Sequence, residues 1–165
     1  MIQPDTTNAQ KATDKKRRIW ENPWKYREGF VIALGLFIAG LCIHIATGKQ
    51  APQISFPVNV ITGFAFLTLL VFSKLLFPKH KLVVWLSGIP AAISSISLLT
   101  FMVLLMGVFP QTSVSHNQVV NFLGFNDIIS HWAFLLALLF FLATLGFAAL
   151  KRTIPFKTKN IGFIF

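Results

Sequence analysis

Residues 128–150 read IISHWAFLLALLFFLATLGFAAL, running from Ile128 to Leu150 without one Asp, Glu, Lys or Arg before the basic pair Lys151 and Arg152. At 1.5 Å of rise per residue, about 20 residues of helix cross the ~30 Å hydrocarbon layer of a bilayer. An uncharged run of this length that stops at two cations predicts a membrane-spanning helix with its end held at a charged surface.

Working outward, three more stretches lack all four charged residue types: Phe30 to Thr47, Phe56 to Ser73, and Leu82 to Phe109. The first is just long enough to cross and gains length from the residues before Phe30. The second fits when extended to Phe77. The third is too long for an upright helix, and Ser87, Gly88 and Pro90 predict a bend or an interfacial turn, leaving Pro90 to Phe109 as the crossing. The expected architecture is therefore an all-α membrane protein with four transmembrane helices, confined to residues 23–150. Asn22 followed by Pro23 predicts the start of the first helix, since Asn caps orphan N–H groups and Pro at the first position has none to lose.

Composition agrees with this. The chain of 165 residues is 55% hydrophobic and 12% charged, whereas soluble domains carry about 25% charged residues. Fifteen Lys and Arg against five Asp and Glu give a net charge of +10, and in so apolar a chain the excess marks the membrane side on which the connections are held rather than a nucleic-acid footprint. The residues through Gly29 hold seven of these cations, Lys74, Lys79 and Lys81 are three more, and residues 151–165 hold four; the opposite connections, 48–55 and 110–127, contain only Lys49. The positive-inside rule then predicts both termini in the cytoplasm, N-in and C-in. Residues 1–22, with the run Lys15, Lys16, Arg17, Arg18 and no secretory-type apolar core, are expected to be a disordered basic cytoplasmic tail. Residues 151–165 are expected to be a basic tail or the start of a further helix, with Ile161 to Phe165 as its apolar fragment. Trp20, Trp24, Tyr26 and Trp85 fall beside span ends, where amphipathic rings rest at headgroup level. Gly35 with Ala39, Ser87 with Ala91 and Ser95, and Ala133 with Ala137 repeat at four-residue spacing and are expected to be close-packing faces.

Several function classes drop out. A single cysteine, Cys42, excludes an internal disulfide, a Cys-x-x-Cys redox pair and a Cys-x-x-Cys-His haem attachment site. No acidic residue lies within the spans, which argues against a proton or cation translocator. No Gly-rich phosphate loop ending in Lys, His-Glu-x-x-His helix or Gly-x-Ser-x-Gly elbow occurs, which argues against an ATPase, a zinc protease or a serine hydrolase.

The histidines remain. His44 comes late in the first span, His131 early in the fourth and His116 in the connection between the last two; the predicted topology gathers all three toward the outer face. Neutral imidazole binds haem iron, and two histidines on neighbouring helices can reach one iron from opposite sides. Gly40 and Gly48, four residues to either side of His44, leave its helix face open to a flat macrocycle or to a neighbouring backbone. The competing reading makes His44 a hydrogen-bonding contact between helices, His131 an interfacial residue still reached by water, and His116 a solvated loop residue. His80, between Lys79 and Lys81, belongs with the headgroup-facing cations.

Set in this topology, a series of segments resembles ResB-type cytochrome c biogenesis proteins. They are Trp24-Lys25-Tyr26-Arg27-Glu28-Gly29 before the first span, Phe56-Pro57-Val58-Asn59 opening the second, and Trp85-Leu86-Ser87 before Ala91-Ala92. Further on come Leu123-Gly124-Phe125, Ser130-His131-Trp132-Ala133-Phe134-Leu135-Leu136, Lys151-Arg152, and Lys159-Asn160-Ile161-Gly162-Phe163. The resemblance covers roughly residues 20 to 165 and lies in the order of the segments. It implies the system II maturation pathway of the cell inner (cytoplasmic) membrane, in which a ResB-type protein and a tryptophan-rich CcsA-type membrane partner move haem b outward to reduced apocytochrome c, where thioether bonds form. Longer members of that family carry a large outer domain and a final crossing. Their absence here implies a non-catalytic or partly catalytic subunit, with His44, His131 and His116 as the candidates to meet haem. Two other classes share the same features: a haem-bearing membrane anchor of a respiratory oxidoreductase, and a structural scaffold whose histidines only pack.

Overall fold

A computed structural model describes residues 24–48, 50–52, 55–111 and 118–153. The expected N-terminal tail, the Asn22-Pro23 start signal, His116 and the segment beyond Thr153 lie outside the described residues. Six helices follow in order: α1 Tyr26–Thr47, α2 Val58–Leu76, α3 Lys81–Leu86, α4 Ile89–Val108, α5 Gln118–Leu123 and α6 Trp132–Thr153. Four of them, α1, α2, α4 and Trp132–Arg152 of α6, are long and apolar enough to cross a membrane.

Local chemistry sets the helix ends. Trp24 and Lys25 are not helical, so α1 begins at Tyr26 rather than at Pro23. The reason is Glu28 in its first turn: its carboxylate accepts the Lys25 backbone N–H at 2.9 Å and favours the positive end of the helix dipole. The far end closes on Gly48, whose left-handed φ of 58° suits glycine and whose N–H donates to the His44 carbonyl at 2.9 Å. The long third stretch breaks where Ser87 and Gly88 stand, into the short α3 and the crossing α4, with Pro90 in the first turn, where a missing N–H costs nothing.

The fourth stretch differs from expectation at its start. Ile128, Ile129, Ser130 and His131 form a turn, and the helix opens at Trp132. Two side chains hold this turn: Asp127 Oδ1 accepts the Ser130 N–H at 3.3 Å, and His131 Nδ1 accepts the Ala133 N–H at 2.9 Å. Both use up backbone donors that a continuous helix would otherwise employ.

Helices α1, α4 and α6, with Trp85 of α3, pack into one core, formed by Ala33, Trp85, Ala91, Leu98, Met102, Ala133, Ala137 and Phe140. Small residues let the backbones approach. A Cβ on Gly40 would lie 2.5 Å from the Ala133 nitrogen, and one on Gly29 would lie 2.8 Å from Ser94 Oγ. The packing face of α1 is therefore Gly29, Ala33 and Gly40. Gly35 and Ala39, expected to pack, are exposed, and nothing lies within 4 Å of a Cβ built on Gly35. Ser95 and Thr144 join α4 to α6 through their hydroxyls, 2.9 Å apart and buried. Helix α2 sits outside this trio. Its one buried residue, Leu70, packs over Gly146 of α6 and joins Val83 and Phe147 in a second small core.

Trp85 faces the inside of the bundle rather than its surface. It is 7% exposed, lies parallel to Phe140 with ring centres 6.2 Å apart, and meets the ring of Trp24 edge-on at 5.7 Å.

Candidate functional site

The ends of the bundle differ in chemistry. At one end Trp24, Lys79, Lys81 and Gly88 line a common cavity, and Gly88 also lines a groove with Lys151 and Arg152. At the other end the connections between spans are tied together by polar groups. Gln50 Nε2 donates to Asp127 Oδ2 at 2.9 Å, and the Ala51 N–H donates to the Ser130 carbonyl at 2.7 Å. Gln111 Nε2 donates to the carbonyls of Phe109 and Phe125, while its Oε1 accepts the Ile128 N–H at 3.0 Å.

Within this second end lie His44, from the last turn of α1, and His131, from the turn before α6. Their rings stack with centres 4.3 Å apart and planes 24° from parallel. The sequence placed both residues near one face; that they touch could not be read from it. His131 is 1% exposed and fully used. Its Nδ1 accepts the Ala133 N–H, which assigns the hydrogen to Nε2, and Nε2 donates to the Leu123 carbonyl at 3.1 Å. Burial, and then the neighbouring His44 ring, push its pKa down to about 4, against the opposing effects of the Leu123 carbonyl and Asp127. His131 is thus a neutral clasp that caps α6 and holds the end of α5.

His44 is half-buried, and its Nδ1 is buried without a hydrogen-bond partner. The opposite edge of its ring lies on Gly124, the residue after α5. Gly124 has φ 71°, and a Cβ there would fall 2.6 Å from His44 Cε1 and 2.8 Å from Cδ2. Glycine is required twice over, by backbone conformation and by contact. Leu123, Gly124, Gln111 and Asp127 are the site residues missed at the level of sequence; the available signal was glycine in the segment Leu123-Gly124-Phe125, placed eight residues or fewer before His131.

The arrangement bears on haem. A histidine coordinates iron through a ring-nitrogen lone pair lying in the plane of the ring, so two axial histidines point nitrogens, not faces, at the metal between them. Here the faces are in contact, both His131 nitrogens are engaged, and the space beside Gly40 is filled by the Ala133 backbone. A resident haem held between His44 and His131 does not fit this geometry. Among the described residues, no three of His, Cys, Asp and Glu form a group able to hold a metal ion.

Comparison with protein-family models, with curated proteins and with solved structures finds no match to this chain. The fold itself defines the class: an all-α, multi-pass membrane protein with four membrane-length helices.

Proposed function

We propose that this chain is a non-catalytic subunit of a cytochrome c maturation complex in the cell inner membrane, with both termini cytoplasmic. In this reading haem is cargo, carried outward with a CcsA-type partner and attached to apocytochrome c, and no haem resides between His44 and His131. The observation that carries the proposal is where the ResB-like segments meet. Trp24 from the first segment meets Trp85 of the third, edge to face at 5.7 Å. Leu123 and Gly124 from the next contact His131 and His44. Segments recognised by their order along the chain thus meet at the two ends of the bundle, which supports the reading. The lysine-rich end belongs in the cytoplasm by the positive-inside rule.

The test is deletion of the encoding gene followed by haem staining of denatured membrane proteins, which detects only covalently attached haem. Loss of stained c-type cytochromes with b-type cytochrome spectra intact is the expected result. Unchanged staining refutes the proposal.

A second reading, a scaffold subunit of a membrane complex that never meets haem, is favoured by the complete use of both His131 nitrogens. Visible spectroscopy of the co-purified complex separates the two: a scaffold's complex shows no haem band, whereas the maturation complex shows one that survives His131→Ala only to the extent that the complex still assembles. The respiratory anchor reading requires a resident haem, and the stacked imidazoles do not provide its ligands.

A further inference from the structure

The lysine-rich end contains a cavity of about 440 Å³ lined by Trp24, Lys79, Lys81, Val84, Trp85, Gly88 and Pro90. Three independent features of its lining suit one kind of ligand. The first is charge: Lys79 and Lys81 are exposed, and neither ammonium has an ion-pair partner among the described residues. Only Glu28 and Asp127 are acidic among those residues; Glu28 is engaged in capping α1, and Asp127 lies at the opposite end. The second is an unanswered donor. Trp85 is 93% buried, and its Nε1 has no hydrogen-bond partner. An indole N–H buried without an acceptor costs about 1–3 kcal/mol; the residue lines the cavity, while the nitrogen itself is shielded. The third is the start of α4, a helix of 20 residues whose N-cap, Gly88, offers no side chain to its first turn. Gly88 and Pro90 line the same cavity, so the positive end of the α4 dipole opens onto it.

Two free cations, a helix N-terminus and an indole donor all favour an anion. The rest of the lining, Trp24, Val84 and Pro90, is apolar, and the cavity lies where two membrane-length helices, α1 and α4, begin. A free inorganic anion gains nothing from such walls, whereas an anionic group carried on glycerol and acyl chains does. Basic pockets between helices at this depth are the recognised setting for anionic headgroups. We propose that this cavity binds the phosphate headgroup of an anionic phospholipid, with Lys79 and Lys81 paired to the phosphate, the Trp85 ring turning so that Nε1 donates to it, and the glycerol resting on Trp24 and Pro90. The assignment does not rest on the proposal for cytochrome c maturation, since it uses only the charge and lining of the cavity.

The experiment uses the full chain purified in detergent, titrated with phosphatidylglycerol or phosphatidylcholine, with bound lipid counted by native mass spectrometry and helicity followed by circular dichroism. Phosphatidylglycerol is expected to bind in preference to phosphatidylcholine. K79Q/K81Q should weaken phosphatidylglycerol binding about 30-fold, on the scale of two near-surface cations. K151Q/R152Q removes the same charge from the neighbouring groove at the same end and should change binding by no more than about threefold. W85F keeps an aromatic ring in place while removing the donor with the five-membered half of the indole, and should weaken binding about fivefold. Soluble glycerol 3-phosphate at millimolar concentration should fail to displace the lipid. Equal losses in the two charge-removal variants would show diffuse surface attraction and overturn the proposal. So would wild-type binding by W85F with its helicity intact, or displacement by glycerol 3-phosphate, which would make the ligand a free phosphate rather than a lipid.

Discussion

Replacing Gly124 by alanine tests the histidine end most directly, because a single methyl group meets two separate obstacles there. The added Cβ falls 2.6 and 2.8 Å from His44 Cε1 and Cδ2 and closer still to Nε2, where ordinary contact needs about 3.5 Å. The imidazole cannot swing clear without leaving its stack on His131, 4.3 Å away. Overpacking of this kind costs about 1–3 kcal/mol. The φ of 71° adds about 1–2 kcal/mol, the cost of the left-handed region for a residue bearing a Cβ. Gly124→Ala should therefore lose about 2–5 kcal/mol, measured by denaturation in mixed micelles with helicity as the signal. The two contributions separate in a double-mutant cycle. In His44→Ala the ring is gone, so adding Gly124→Ala should cost only the backbone share, and the pair should be more stable than the sum of the single effects by about 1–3 kcal/mol. Strict additivity would refute the contact between His44 and Gly124, and with it the closed geometry on which the argument against a haem between the two histidines rests.

Other predictions follow from single contacts. Gly40→Ala should destabilise the bundle by about 1–3 kcal/mol, because its Cβ would press on the Ala133 backbone, while Gly35→Ala, with open space around it, should stabilise α1 by about 0.5–1 kcal/mol; thermal melts of the two variants check the contrast. The unfolded His131 side chain takes up a proton near pH 6.5 but the folded one only near 4. Between those values the unfolded state holds the extra proton, so stability should fall as pH is lowered from 6.5 toward 4, and His131→Asn should flatten that part of the melting-temperature profile. The Ser95–Thr144 hydroxyl pair, removed by Ser95→Ala and Thr144→Val, should show a coupling of about 0.6 kcal/mol, typical of hydrogen bonds between membrane helices.

The four crossings were legible because membrane helices announce themselves locally: an uncharged run of sufficient length has few alternatives. The break at Ser87-Gly88-Pro90 was equally local, since Pro90 fits the first turn of a helix and not its interior. Interhelical contacts were less accessible. Gly35 and Gly40 look alike in sequence, yet only Gly40 faces a neighbour, because a helix in lipid is apolar all round and hydropathy no longer marks the inward side. The inward direction of Trp85 was hidden for the same reason: its place beside a span end is local, and the packing of α3 turns its ring toward the core. The start of α6 was misplaced by four residues because the polar clasps that end the turn, Asp127 and His131, act through backbone groups that leave no trace in hydropathy. His44 and His131 were legible as residues and opaque as a site: topology placed them at one end, but only the fold shows their faces joined and the His131 nitrogens spent.

The unequal burial of the four long helices bears on how the chain holds its shape. In lipid the hydrophobic effect does not distinguish a buried apolar face from an exposed one, so cohesion comes from close backbone approach and hydrogen bonds. Helices α1, α4 and α6 have both, through Gly29, Gly40, Ala133 and the Ser95–Thr144 pair. Helix α2 has one buried residue and packs where Leu70 fills the notch over Gly146. Its two threonine hydroxyls, Thr62 and Thr68, bond to the carbonyls of Val58 and Phe64 in its own backbone. The stability of the trio should therefore depend little on α2. The histidine clasp belongs to elements of the trio, α1 and the turn before α6, whereas the lysine-lined cavity also draws on the α2–α3 connection through Lys79. Loosening α2 by Leu70→Ala should consequently leave the His44–His131 stack unchanged, while Gly40→Ala, which parts α1 from α6, should disturb the stack first.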